Sequence, residues 1–286
     1  MATFYNQATL SYNGTVASSN ITAGEILEVL SASKTAVPDT YSQGSDNAFI
    51  ISIVNTGSSC YNGLTVTDDL GEYSFGEAGG TAVPLTYGEG SLIYYVNGVQ
   101  QPSPAVTSMS PLTVTGINVP AGGNATLVYA AETNSFAPMG AEAAITNTAI
   151  VSGAGSEAVA ASATIAYGDG IDLAISKSLS PAAVEENGEV TYTFLIQNFG
   201  TVPAEAADNV IFSDTFTPAL RGITAEFNGT AWISGADYAY DPDNGVFTSL
   251  DGVITVPAAQ FVQDEITGEW STQAGVSTLI IKGRLS

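Results

Sequence analysis

The sequence predicts an all-β chain of two β-sandwich domains in tandem, the second completed by a strand from the N-terminus. Three observations carry this. Short alternating runs of β-branched residues, broken by Gly, Asn, Asp and Pro, fill the chain, and no long segment sets apolar residues at helical spacing. The chain repeats itself at a fixed offset. The second copy then stops before the final strands of the first, and a segment resembling those strands stands at residues 4–21.

Size and composition agree. At about 150 residues per domain, 286 residues make two domains, each long enough for its own core. The charged fraction is 12%, about half the usual ~25%, which excludes a charge-rich disordered chain. Twenty-eight acidic residues stand against five basic ones, for a net charge of −23. The five are Lys34, Lys177, Lys282, Arg221 and Arg284, too scattered to displace counterions from nucleic acid or to hold an anionic membrane surface. With no His and one Cys, one subunit builds neither a zinc centre nor a His-based triad, and no intrachain disulfide forms. No cofactor or metal is expected. Cys60 reads as a small loop residue, with a cross-link between subunits as the alternative. No apolar run reaches the ~18 residues of a membrane helix, and MATFYNQATLSYNG has neither the basic nor the apolar region of a signal peptide.

The repeat is anchored at several points. SASKTAVPDTYSQGSDNAFIISIVNTG (31–57) resembles AISKSLSPAAVEENGEVTYTFLIQNFG (174–200). Lys34 matches Lys177 and Asn55 matches Asn198, both at an offset of 143 (177 − 34; 198 − 55). LTVTDDL (64–70) matches VIFSDTF (210–216), pairing Asp68 with Asp214, and GNATLVYA (123–130) matches VSTLIIKG (276–283). The first copy continues through 141–170, whereas the second ends at Ser286. Residues 4–21 resemble 145–165, with Asn6 matching Asn147 at an offset of 141 (147 − 6). The organisation expected is therefore a donor strand over 1–23, a complete domain over 24–170 and an incomplete domain over 171–286. A sandwich lacking a strand exposes an open edge. The donor either folds back on its own second domain or completes that of the next molecule, by strand addition in trans. The link from Asn20 to Gly24, at ~3.6 Å per residue, is short for bypassing a domain and favours the second. Such a head-to-tail contact builds an open fibre.

Strand alternation sets Lys34 with Leu30 and Ala32, and Lys177 with Leu173 and Ile175. Asp68 shares a face with Leu64 and Val66, and Asp214 with Val210 and Phe212. Asn147 lies with Ile145 and Ala149, and Asn6 with Phe4 and Ala8. Each copy thus points a Lys, an Asp and an Asn toward its core, where an unpaired charge is costly. One reading is a buried Lys–Asp ion pair with Asn hydrogen-bonded nearby. The other is an intramolecular isopeptide bond. Desolvation lowers a lysine pKa and raises that of an aspartate, a neutral amine is a nucleophile, and a protonated carboxyl can polarise the Asn carbonyl and pass a proton to the leaving ammonia. The product is a neutral amide, formed once and without cofactor, so the protein is not an enzyme in the usual sense.

The ordered set K…N-x-G…D-x-[LF]…N-x-A resembles the bacterial Ig-like surface repeats known as domain of unknown function eleven. It also resembles pilin and adhesin Ig-like domains that carry Lys–Asn isopeptides with an acidic catalyst. The resemblance runs from about Leu27 to Gly170 and from Ile171 to Ser286, plus the N-terminal strand. It implies two Ig-like β-sandwich domains. It further implies a Lys34–Asn147 bond with Asp68 as catalyst, and a bond from Lys177 to Asn6 with Asp214 as catalyst, between subunits if the donor acts in trans. Two departures stand out: Asp69 follows Asp68 directly, so either can serve, and no cell-wall sorting tail is seen.

The function expected is a structural subunit of an extracellular, cell- or spore-surface fibre that polymerises with itself. A monomeric adhesin or ligand-binding domain pair is the alternative. Weaker signals read as structure: Asp241-Pro-Asp243-Asn244-Gly245 as a turn rather than a calcium loop, Asn-Gly-Thr at 13–15 and 228–230 as turns rather than glycosylation sites, and Trp232 and Trp270 as packing rather than a sugar platform.

Overall fold

The computed structural model describes residues 2–26, 29–168, 170–185 and 187–285. Leu27 and Ser286, which bound the two copies in the sequence comparison, lie outside the described residues. Among these residues there is no α-helix, and a single 3-10 turn at Ala206–Asp208 interrupts the strands. The all-β expectation holds. The chain divides into two compact units, one of 1–74, 81–134 and 145–165, the other of 75–80, 135–144 and 166–286.

The first unit is a sandwich of two antiparallel sheets. One sheet runs Val99–Gln101, Ile93–Val96, Asn124–Thr133, Asp46–Asn55, Leu30–Val37, with Leu85–Tyr87 also paired to Asn124–Thr133. The other runs Ala105–Met109, Leu112–Val119, Tyr61–Asp68, Ala144–Gly153, Ser156–Tyr167, Thr40–Tyr41. The alternation in Asp46–Asn55 and Asn124–Thr133 buries every second residue, so Phe49, Ile51, Ile53, Leu127 and Tyr129 meet Leu64, Val66, Val114 and Val151 in the core.

The second unit repeats this with a gap. Its larger sheet runs Leu173–Ser180, Glu189–Asn198, Gly275–Leu285, Leu220–Phe227, Thr230–Trp232, the same order as its counterpart. The register is also kept, Lys34 pairing with Ile51 and Lys177 with Phe194. The facing sheet has three strands, Ser213–Thr215, Val246–Ser249 and Tyr238–Asp241. In the first unit the Asp68 strand is flanked on both sides, by Leu112–Val119 and by Ala144–Gly153. The Asp214 strand is flanked by Val246–Ser249 alone, so the places of Ala144–Gly153 and Ser156–Tyr167 are unfilled among the described residues. Phe194, Phe212, Phe216, Phe247 and Leu279 still build a core, but its open side leaves Ile175 57% and Leu179 42% exposed.

The N-terminal segment is a two-armed ribbon rather than a single strand. Ala2–Asn6 pairs with Thr22–Ile26, and Thr9–Tyr12 with Thr15–Ser18. The arms turn at Asn13-Gly14, both at positive φ (47° and 79°), the Asn-Gly chemistry of a type I′ hairpin. Asn228-Gly229 turns in the same way (48° and 79°), so both Asn-Gly-Thr sites are hairpin turns. The described hydrogen bonds of residues 2–22 stay within the ribbon, and Phe4, Leu10, Tyr12 and Val16 are more than half exposed. An isolated two-stranded ribbon is marginal in water, and this one carries an apolar face.

The repeated N-x-G motif has a structural use. Asn55 Oδ1 accepts from Gly57 N–H at 2.9 Å while its Nδ2 donates to Ser59 O and Pro120 O. Asn198 does the same with Gly200 N–H at 2.9 Å and Val202 O at 2.8 Å. A Cβ on Gly200 would fall 2.1 Å from Gly170 O, so only glycine fits there. The minor signals resolve likewise. Asp241 accepts backbone N–H groups of Asp243 and Asn244, as the turn reading expects, and Trp232 stacks on Phe227 at 5.3 Å. Cys60 is exposed and in no disulfide among the described residues.

Candidate functional site

The first unit brings Lys34, Asp68 and Asn147 together in its core. Lys34 projects from the edge strand of one sheet, and Asp68 and Asn147 from adjacent strands of the other. Lys34 Nζ donates to Asp68 Oδ2 at 2.6 Å, and both side chains are fully buried. The rings of Phe49 and Tyr129 flank the ammonium at 5.2 and 5.9 Å. Asp68 Oδ1 accepts from Leu70 N–H at 3.1 Å. Asp69 is otherwise engaged: its Oδ1 accepts from Gly71 and Thr148 N–H, each at 2.8 Å. Of the two adjacent acids, it is Asp68 that faces the lysine.

A fourth residue completes the set, and no sequence motif pointed to it. Tyr129 O–H donates to Asp68 Oδ2 at 2.6 Å and accepts from Asn147 Nδ2 at 3.0 Å. Its ring stacks on Phe49 at 5.5 Å. Asn147 Oδ1, by contrast, is buried without a hydrogen-bond partner, an arrangement that costs about 1–3 kcal/mol. Replacement of the carboxamide nitrogen by Lys34 Nζ, with loss of ammonia, would remove the buried charge and leave a neutral link between the sheets.

Electrostatics favour a neutral amine at Lys34. Burial lowers the Lys34 pKa below its ordinary 10.5, against the opposing pull of Asp68. Burial, with the Asp68 charge, raises the Tyr129 phenol well above 10, so the hydroxyl keeps its proton at any physiological pH. A stability prediction follows for an Asn147→Ala chain, in which no bond can form. Between the folded-state Lys34 pKa and 10.5 the unfolded chain binds a proton that the folded chain lacks, so stability rises with pH there. Above pH 10 the raised Tyr129 reverses the trend, because the unfolded phenol releases its proton first. Urea midpoints of this variant should climb as pH rises toward 10 and fall beyond it; a flat or falling profile just below pH 10 would contradict the depressed lysine.

The second unit holds two of the three residues. Lys177 Nζ donates to Asp214 Oδ2, again at 2.6 Å, but the two side chains are 41% and 20% exposed. Tyr192, Phe194 and Phe216 lie 4.7, 5.3 and 5.4 Å from the ammonium. Asn6 pairs with Thr22 in the exposed ribbon and is not brought to this pair. Beside the pair runs an apolar groove of about 210 Å³ lined by Leu173, Ile175, Ile196, Val210, Phe212 and Ile254. The phenol does not recur in its place either. Phe49 and Tyr192 correspond at the repeat offset (192 − 49 = 143), Tyr129 pairs with the first and Ile281 with the second, so Ile281 stands in the place of Tyr129.

The solved structures similar to this chain are remote in sequence and varied in role, from pilins to a transglutaminase. The major pilin subunit of Bacillus cereus is 11% identical with a TM-score of 0.37, over 96% of this chain and 73% of that one. The pilus backbone of Streptococcus pneumoniae is 10% identical with a TM-score of 0.33, over 86% of this chain. The collagen-binding domain of a Staphylococcus aureus adhesin is 11% identical with a TM-score of 0.30, over 49% of this chain and 99% of that domain. The chain spans only 55% of the pneumococcal backbone. No family model and no curated protein matches the sequence. The sheets described above, rather than these likenesses, establish the sandwich fold.

Proposed function

We propose that the protein is a structural subunit of a surface fibre that polymerises head to tail, each N-terminal ribbon completing the second domain of the next subunit. The single observation that carries this is the match between a vacancy and a spare part. Among the described residues no hairpin stands beside Asp214 in the second sandwich, and the N-terminal segment is an exposed two-stranded hairpin whose sequence repeats the one that fills that place in the first sandwich. Phe4, Asn6, Ala8 and Leu10 correspond to Ile145, Asn147, Ala149 and Val151 at an offset of 141. All four of the latter are buried to 2% exposure or less. The Ala149–Asp68 pairing carries over as Ala8 opposite Asp214, which delivers Asn6 to Lys177. Four residue steps separate Ile26 from Leu30 (30 − 26), a reach of about 14 Å at ~3.6 Å per residue, and so short a tether supports exchange between molecules.

The bond proposed is of the same kind at both sites. Lys34 attacks the Asn147 carboxamide carbon with Asp68 as proton acceptor, and Lys177 attacks Asn6 with Asp214 in that role. The first bond staples the two sheets of one domain, and the second joins neighbouring subunits. The test is a boiled, reducing denaturing gel of purified protein beside a negative-stain micrograph. A ladder with filaments is expected. Filaments that run as one monomer band would leave strand exchange without covalent linkage. A monodisperse monomer without filaments would identify a closed chain, the adhesin-like alternative.

A further inference from the structure

The geometry points to Tyr129 as a catalytic residue of the internal bond, the hydroxyl relay that carries the proton from Asp68 to the leaving nitrogen of Asn147. This deepens the isopeptide reading above and rests on it. Three hydrogen bonds form an unbroken path from nucleophile to leaving group: Lys34 Nζ to Asp68 Oδ2 at 2.6 Å, Tyr129 Oη to the same oxygen at 2.6 Å, and Asn147 Nδ2 to Tyr129 Oη at 3.0 Å. Among the described hydrogen bonds, none joins Asp68 to Asn147 directly; the phenol stands between them.

The step balances without any outside reactant. The ion pair first passes one proton from the Lys34 ammonium to Asp68, leaving a neutral amine and a carboxylic acid. The amine attacks Asn147 Cγ and a C–N bond forms. As the Cγ–Nδ2 bond breaks, the amine's second proton enters the path at Asp68, whose first proton moves to the Tyr129 oxygen while the phenolic proton moves to Nδ2. Ammonia leaves, the amide keeps one hydrogen on nitrogen, and Asp68 stays protonated until the ammonia takes that proton away. The relay demands a hydroxyl that turns, once Asp68 is protonated and its own proton is no longer held there, to accept from the acid and donate to Nδ2, and a phenol that is never ionised in between. The buried Tyr129 meets both conditions. Its hydrogen bond also sets the rotation of the Asn147 amide, aiming the leaving nitrogen at the proton source.

The second copy sharpens the assignment. With Ile281 in the corresponding place, the relay hydroxyl is specific to the first site and is no part of the recurring Lys–Asp–Asn set.

The test is Tyr129→Phe in the full chain, followed by intact mass, which reads the loss of one ammonia per bond. Phenylalanine keeps the ring stacked on Phe49, and thermal melts with Asn147→Ala as the unbonded reference separate folding from chemistry. Wild type should purify fully bonded, and Tyr129→Phe largely unbonded, then closing slowly, about 10²–10⁴-fold below wild type, the range for a positioned proton transfer. Site-specific fluorotyrosine at 129 gives the readout that a packing role would not move: the closure rate should change with phenol acidity at constant fold. A Tyr129→Phe chain that is fully bonded at purification overturns the relay alone. A wild-type chain of full unmodified mass overturns the bond itself, and the relay with it.

Discussion

Lys177→Ala should collapse the polymer to a monomer on a boiled denaturing gel while leaving one ammonia loss per chain in the intact mass. The change removes a nucleophile from a half-open site, where the side chain is 41% exposed, so the cost to folding is small and the effect on linkage is all or none. Asn6→Ala should give the same gel from the opposite partner. The pair of variants is informative when mixed. Lys177→Ala still offers a donor ribbon and Asn6→Ala still offers an acceptor groove, so an equimolar mixture should form a covalent dimer at most. A ladder from either variant alone would place the link elsewhere. A monomer from the mixture would mean that these two residues are not partners.

Asp68→Ala should abolish the internal bond and destabilise the first sandwich by about 3–5 kcal/mol, the cost of leaving a buried charge without its partner. Lys34 is flanked by Phe49 and Tyr129 rather than by water, and nothing replaces the lost carboxylate. Asp69→Ala removes only acceptors for the Gly71 and Thr148 amides and should keep the bond. Urea unfolding gives the stability and intact mass gives the bond. The comparison tests the catalyst assignment that the adjacent aspartates left open in the sequence. A bonded Asp68→Ala chain would reject it.

Much of this arrangement was legible in the sequence because the chain is written twice. Lys34, Asp68 and Asn147 could be placed on inward faces since each recurs, with Lys177, Asp214 and Asn6, among alternating apolar residues. The unfilled edge beside Asp214 was legible as missing strands. What escaped was what does not recur. Tyr129 aligns with Ile281 and so carried no repeat signal, although alternation puts its phenol on the buried face with Leu127 and Ala131, where a hydroxyl needs a partner. The ribbon escaped in part for a different reason. Asn13-Gly14 marks a hairpin turn and residues 4–21 match both strands of 145–165, yet the segment reads as one donor strand until the pairing of Thr9–Tyr12 with Thr15–Ser18 shows the hairpin.

The positions of Lys34 and Asn147 along the chain also decide how a pulled fibre would bear load. In the fibre proposed, tension enters a subunit at Asn6 and leaves at Lys177. Between them, a bond from Lys34 to Asn147 short-circuits the backbone, so force runs through residues 6–34, crosses the link and continues through 147–177. The loop 35–146, which holds most of the first sandwich, hangs beside that path, and so does everything after Lys177, including the Gly275–Leu285 strand. Neither core has to resist pulling for the thread to hold. Extension is then limited to those two stretches, and the subunit lengthens under load far less than its whole chain would allow.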